Sequence, residues 1–402
     1  MKTSIDQLAV LGGAPAFAEP LHVGRPNVGD RAAFAARLDE MFDRHWLTND
    51  GVCVRELESR IANFLGVRHC MLVCNGTVAL QVMAAACGMT GEVIMPSFTF
   101  IATAHALAWQ GVKPVFCDVD PATHNIDPAK VESLITDATT GILGVHVWGR
   151  ACDVDALDAI ARRRGLVLAF DAAHAFACSH QGRMIGGFGS AETFSFHATK
   201  FFNSFEGGAI TTNDDAVAER CRLMRNFGFS GLDHVVSLGL NGKMSEASAA
   251  MGLTNLDSLS SFIEVNARNY AWYREGLGDI PGLQLADYRA GERSNFQYVV
   301  VEVDPVVAGL TRDDLSEVLH AENVLARRYF YPGCHCMAPY EAEYCGRGLL
   351  PATEQLTKRT LSLPTGTSVD EDDIRTVSAL IRLSLGESGA LADRMGWARR
   401  TS

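Results

Sequence analysis

Between residues 54 and 212 the chain alternates short apolar runs with stretches of helical period, and this alternation constrains the fold more than any other feature. A helix over 54–65 carries Leu57, Ile61, Phe64 and Leu65 on one face and stops at Gly66, a residue that closes helices because it accepts a left-handed backbone. Next come an apolar strand at 70–74, a helix opening at Asn75 and Gly76 and running to about 87, and strands at 93–95, 114–117, 141–146 and 166–170, separated by helices over 99–110, 128–135 and 154–164. Strands joined through helices of this length cannot pair as hairpins, so the expected fold is α/β: a mostly parallel sheet with helices on both faces. In such sheets ligands gather beyond the carboxyl ends of the strands.

The residues at those ends are therefore the ones to read for chemistry. They are Asn75-Gly76-Thr77, Pro96-Ser97-Phe98-Thr99-Phe100, Asp171-Ala172-Ala173-His174, and the stretch from Thr193 through Ser195 and His197 to Lys200. A glycine at a strand-to-helix turn lets a ligand approach the free amides of the first helical turn, which suits an anion. A purely topological turn accounts for Gly76 equally well, and no G-x-G-x-x-G or G-K-[ST] motif marks a nucleotide loop. Lys200 ends an alternating strand pattern among aromatics, where desolvation lowers an amine from about 10.4 toward the range in which it is a nucleophile; a lysine that snorkels to water fits the same pattern. Asp171 ends an apolar strand, where an acid needs a cation or donors, although it could equally cap the following helix.

Charge and cysteine usage narrow the classes of partner. The 402 residues hold 47 acidic and 35 basic side chains, a formal charge of −12, and the longest basic run, Arg162-Arg163-Arg164, falls at the end of a helical pattern where cations suit the dipole. A nucleic-acid partner is disfavoured. Eleven cysteines without a C-x-x-C pair indicate neither a disulfide framework nor a zinc ribbon, so reduced thiols are expected, and Cys334-His335-Cys336 lacks further ligands at metal spacing. The N-terminus has no apolar signal region and no window of about 18 apolar residues occurs, which points to a cytoplasmic chain with no membrane partner.

Taken together, these strand ends meet the needs of pyridoxal 5'-phosphate, which takes a lysine for its covalent link, an acid at its ring nitrogen and a phosphate seat. Here the chain resembles the sugar aminotransferases of the fold-type I pyridoxal phosphate enzymes, which act on nucleotide-linked keto sugars. The resemblance rests on the four strand-end motifs, Pro114-Val115-Phe116-Cys117-Asp118-Val119-Asp120, Glu206-Gly207-Gly208-Ala209 and Asn241-Gly242-Lys243-Met244-Ser245-Glu246, and covers about residues 10 to 385. It implies a large cofactor-binding domain at 51–255 behind an N-terminal arm and helix at 1–50. A smaller C-terminal α/β domain would follow at 256–385; from the residues themselves, 244–277 reads as one long helix leading away from the sheet, and the tail at 386–402, rich in charge and small residues, is expected to fray.

By the same resemblance Lys200 would bond to the cofactor and shuttle the proton, and Asp171 would pair with the ring nitrogen. Ala173 and Phe100 would lie against the ring faces and His174 would approach the ring hydroxyl. Gly76, Thr77 and Ser195 would seat the phosphate, with Asn241 reaching it from the second subunit of a homodimer. Phe100, His174 and Lys243 stand where the family often has Tyr or Trp, Gln, and Arg; a lysine cannot make the bidentate fork of an arginine. His146-Val147-Trp148-Gly149-Arg150 and Tyr329-Phe330-Tyr331-Pro332-Gly333-Cys334-His335 resemble the subgroup that aminates C4 of dTDP-4-keto-6-deoxyglucose from glutamate. Tyr329, Tyr331 and His335 are candidates for the sugar pocket and equally credible as packing. A C3 aminotransferase, a pyridoxal phosphate-dependent dehydratase or a non-catalytic regulatory relative are the alternatives; Lys200 itself argues against the dehydratases, which lack that lysine.

Overall fold

In the computed structural model, which describes residues 1–397, helices α1 (Arg31–Asp43) and α2 (Val52–Leu65) lead into a seven-stranded sheet. Its strands are β1 (His69–Val73), β2 (Glu92–Pro96), β3 (Lys113–Cys117), β4 (Thr139–Val145), β5 (Val167–Asp171), β6 (Glu192–Ser195) and β7 (Gly208–Thr212). They lie in the order β1-β7-β6-β5-β4-β2-β3. Only β7 runs against its neighbours; the remaining pairs are parallel. The connecting helices are α3 (Gly76–Ala86), α4 (Ala102–Ala108), α5 (Val154–Arg164) and α6 (Asp215–Met224).

The two-residue period of the strands divides their side chains between two cores. Leu72 and Ile94 point into one core with Leu57 and Ile61 of α2 and Leu157 and Ile160 of α5. Their neighbours Met71, Val73, Val93 and Met95 point into the other, with Leu80 and Met83 of α3, Leu107 of α4 and Val217 of α6. Each such aliphatic side chain contributes about 1.5–3 kcal/mol on full burial, so the sheet cannot slip by one residue without reversing both sets. The helices start where side chains replace the missing ladder bonds: Asn75 Oδ1 accepts from Val78 N, Asp153 Oδ1 from Ala156 N and Asp214 Oδ1 from Ala216 N.

The expected long helix over 244–277 is instead two, α7 (Glu246–Asp257) and α8 (Leu259–Leu277), broken at Ser258. The backbone leaves the helical path at Ser258, φ −97° and ψ 3°, and Leu259 and Phe262 at the start of α8 still pack with the large sheet while its later turns reach a second core. Ala249, Ala250 and Leu253 of α7 pack with the large sheet, whereas Tyr270, Tyr273 and Leu277 of α8 pack on a three-stranded antiparallel sheet of β8 (Leu283–Leu285), β9 (Val299–Val303) and β10 (Thr360–Leu363). Helices α9 (Arg312–Ala321), α10 (Pro351–Arg359) and α11 (Glu371–Gly386) complete that unit.

Two further expectations are corrected. The tail, expected to fray from 386, forms α12 (Ser388–Met395), because Leu391 and Ala392 cover the second core; residues 398–402 lie outside the described residues. The cysteines are not all free: Cys336 and Cys345, brought together by the intervening turn of chain, form a disulfide.

The N-terminal arm is fastened to the C-terminal unit. Leu21–His22 pairs in parallel with Val324–Leu325, and the fully buried Glu322 carboxylate accepts from Lys2 Nζ at 2.6 Å and from Ala9 N and Ala16 N, each at 2.7 Å. Removing that acid leaves two amides and an ammonium without their acceptor, so Glu322→Ala is expected to cost about 2–3 kcal/mol. The urea unfolding midpoint measures this; an unchanged midpoint contradicts the role given to Glu322.

Candidate active site

At the carboxyl edge of the large sheet, β1, β2, β5 and β6 end around a cavity of about 630 Å3. The amino end of α3 forms one wall. Asn75 uses its carbonyl and side chain on Ala79 N and Val78 N, so the amides of Gly76 and Thr77 are the donors left over by the helix ladder. Ser195, the last residue of β6, closes against them: a Cβ at Gly76 would lie 2.9 Å from Ser195 Cβ and 3.1 Å from its Oγ. Only glycine lets the serine hydroxyl and the helix amides converge on one point. Two free amides and a hydroxyl at a helix N-terminus form a cradle for a phosphate group.

Lys200 enters from a turn after β6. The strand ends two residues short of the expected His197, because Phe196 bonds across the loop to Gly207 O and Ser204 N, leaving Lys200 N to bond His197 O. Its ammonium donates to Tyr298 Oη at 3.3 Å. Burial pushes the Lys200 amine down from 10.5 to about 8, against the attraction of Asp171. At neutral pH about a tenth of such an amine is free base, against less than about one in a thousand for an ordinary lysine.

Asp171, the last residue of β5, is 5 % exposed. Burial pushes its carboxyl up, and the donors around it act in the opposite sense: Ala173 N donates to Oδ1 at 3.0 Å and Thr103 Oγ1 to Oδ2 at 2.8 Å. Thr103 is in turn bonded to Thr99 Oγ1 at 3.0 Å. The acid is thus gripped on both oxygens and faces a cavity into which a cation could be placed.

His174 is buried and its imidazole is pushed well below the usual range, by desolvation first and then by Lys200. Its neutral form has one donor nitrogen and one acceptor. Trp148 N donates to Nδ1 at 3.3 Å, so the hydrogen resides on Nε2. Trp148 holds a left-handed backbone, φ 62°, that the side chain of Asn125 pins through Val147 N, Arg150 O and Ala151 O, each at 3.0 Å. The Trp148 indole donates to His124 Nδ1 at 3.0 Å, leaving His124 Nε2 to donate to Glu302 Oε1 at 2.8 Å. A row of four groups running out to β9 therefore sets the tautomer and plane of His174.

Of the residues singled out in the sequence, Gly76, Thr77, Phe100, Asp171, Ala173, His174, Ser195, Lys200 and Tyr329 line this cavity. The undecided His197 also lines it, bonded to Thr199 Oγ1 at 2.8 Å with Glu206 Oε1 3.4 Å away. Three others lie elsewhere. Tyr331 lines an adjoining groove beside Arg328. His335 is buried with Nδ1 2.7 Å from Ser97 Oγ, which also accepts from His335 N; it holds the loop that carries Phe100 and does not reach the cavity. Asn241 is exposed and outside its own chain's cavity. Sequence reasoning missed Thr103, Tyr298, Arg25 and Arg327, which also line it. Thr103 sits one helical turn beyond Thr99, a spacing that could have flagged it; Tyr298 and Arg327 arrive from the C-terminal unit by packing alone.

Residues 29–382 match the DegT/DnrJ/EryC1/StrS aminotransferase family. The chain belongs to this family. It is 36 % identical over 368 residues to dTDP-4-amino-4,6-dideoxy-D-glucose transaminase of Shigella dysenteriae, covering 90 % of this chain and 99 % of that one. A crystal structure of DesI in the presence of its TDP-sugar product superposes with a TM-score of 0.94 at 50 % identity, covering 98 % of this chain and all of the other. DesV of S. venezuelae, solved in complex with a ketimine intermediate, gives 0.83 at 29 % identity over 90 % of this chain and 98 % of its own. As a member the protein is an aminotransferase, with an α/β fold and a mixed, mostly parallel sheet.

The lowered Lys200 amine makes a direct prediction. The cofactor-free protein should combine with pyridoxal 5'-phosphate at a rate that rises with pH and levels off above about 8. A rate still climbing toward the ordinary lysine value of 10.5 contradicts the desolvated setting.

Proposed function

We propose that this aminotransferase carries pyridoxal 5'-phosphate and moves the amino group of glutamate to the C4 ketone of dTDP-4-keto-6-deoxyglucose, giving dTDP-4-amino-4,6-dideoxyglucose. The observation that carries the reading is the convergence of Lys200, Asp171 and the Gly76–Ser195 cradle on one cavity. The C4 sugar follows from the likeness to DesI and to the Shigella transaminase, one seen with a TDP-sugar and the other named for its 4-amino sugar.

The residues fit the cofactor. The amides of Gly76 and Thr77 with Ser195 Oγ would hold its phosphate, and Asp171 would hold its ring nitrogen protonated. Ala173 and Phe100 would bracket the ring, while His174, its hydrogen kept on Nε2, would donate to the ring hydroxyl. When bound, the cofactor supplies an electron sink for the carbon that carries the amino group. Lys200, in its free-base form, takes the proton from the α-carbon of glutamate and in the second half-reaction delivers a proton to C4 of the sugar. Tyr298 Oη keeps the released amine in place. Arg25 and Arg327 bring positive charge to the cavity, suited to the sugar's diphosphate, and Tyr329 borders the same space.

The active unit is read as a homodimer in the cytoplasm. Asn241, outside its own cavity, would reach the phosphate of the second subunit, and its loop exposes Phe227, Leu232, Val236 and Leu238, an apolar edge that a second copy would cover. The division into an arm, a large domain, a small domain and a tail is kept as part of this reading. Among the described residues no helix is long and apolar enough to cross a membrane.

Lys200→Ala should remove both turnover and the visible absorbance of the bound cofactor. Asp171→Asn should keep the cofactor and lower kcat by about a hundredfold or more. Wild-type turnover in either variant contradicts the assignment.

A further inference from the structure

A second recess, of about 250 Å3, lies at the seam between the two units and shares no lining residue with the cofactor cavity. Arg150 enters it from the large unit, and Arg289, with Glu302 and Asp287, from the C-terminal unit. Arg150 is the informative side chain. Its Nη1 reaches only Ala122 O, at 3.4 Å, and its Nε and Nη2 are buried with no partner. Among the described residues neither Arg150 nor Arg289 enters an ion pair. The acids of the recess are engaged elsewhere: Glu302 Oε1 with His124 Nε2 at 2.8 Å, and Asp287 Oδ1 with Tyr270 Oη at 3.1 Å.

An adjoining narrow recess shares both arginines and adds His180, 6 % exposed with neither ring nitrogen partnered. Burial pushes the Arg150 guanidinium down and Arg289 adds repulsion, with Tyr288 and Glu302 acting against both. A cation buried without hydrogen-bonded compensation is costly, and two planar guanidinium forks facing one space match the oxygens of a phosphate.

We propose that this recess is a second ligand site, taking a phosphate group between Arg150 and Arg289. Its walls come from both units, so an occupant ties them together. It also sits beside Glu302, the outer member of the row that ends at His174, which places it where binding can be felt in the cofactor cavity.

The test is isothermal titration of the full chain, loaded with pyridoxal 5'-phosphate so that the cradle at Ser195 is filled, with inorganic phosphate in a phosphate-free buffer. One phosphate per chain is expected in the wild type and in Arg327→Gln, a change in the cofactor cavity. Binding should weaken at least tenfold in Arg150→Gln and in Arg289→Ala, the latter at an exposed position whose loss does not threaten folding. No binding, binding unchanged in Arg289→Ala, or binding lost in Arg327→Gln overturns the proposal. Adenosine 5'-monophosphate in a parallel titration identifies the source: tighter binding with the same dependence on Arg289 means the phosphate of a nucleotide, and weaker binding means the free ion.

Discussion

The structure turns on the desolvation of one lysine. An amine that stays charged is no nucleophile, and an amine stripped of water with nothing to receive its proton destabilises the fold. Lys200 lies between these limits: burial brings it down to about 8, and the charge of Asp171 keeps it from going further. Burial pushes the Asp171 carboxyl up, and Ala173 N, Thr103 and the Lys200 charge oppose that push. Asp171 ends β5, which pairs in parallel with β6, and Lys200 lies in the turn that follows β6. The sheet and that turn together set the spacing of the two charges, and the two cores that fix the sheet act on the chemistry through it.

The same economy extends outward. His174 carries its hydrogen on Nε2, because a backbone amide in a left-handed turn at Trp148 donates to Nδ1. That turn is held by Asn125 and the indole by His124 and Glu302, so a strand of the C-terminal unit supports a group in the large one. The C-terminal unit also supplies Tyr298, Tyr329 and Arg327 to the cavity, and Glu322 fastens the N-terminal arm to it. Half of the site is built by contacts between segments far apart in the chain.

That division decides what the sequence could reveal. Local signals were legible: helix α5 spans 154–164 as the apolar period and its closing Gly165 require, and Asn75 caps α3. Strand ends carrying Lys200, Asp171, Gly76 and Ser195 could be grouped because parallel strands bring their carboxyl ends to one edge. The break at Ser258 was not legible, since neither glycine nor proline stands there and the same core receives side chains from both sides of it. Neither was the helical tail, where Leu391 earns its order from a surface it covers. Tyr298 carries no motif, Thr103 only its spacing from Thr99, and His335 stood open between sugar pocket and packing for want of any sign of its partner Ser97, 238 residues away. The disulfide between Cys336 and Cys345 depends on a turn that cysteine spacing does not encode.

The account rests on an amino group from glutamate reaching C4 of a nucleotide-linked sugar while Lys200 moves the protons. The most direct measurement is to incubate the loaded enzyme with dTDP-4-keto-6-deoxyglucose and nitrogen-labelled glutamate, then locate the label in the product by mass spectrometry and NMR. The account predicts a labelled nitrogen bonded to C4, formed by the wild type and not by Lys200→Ala. A sugar returned without nitrogen, or with the label on C3, would contradict it.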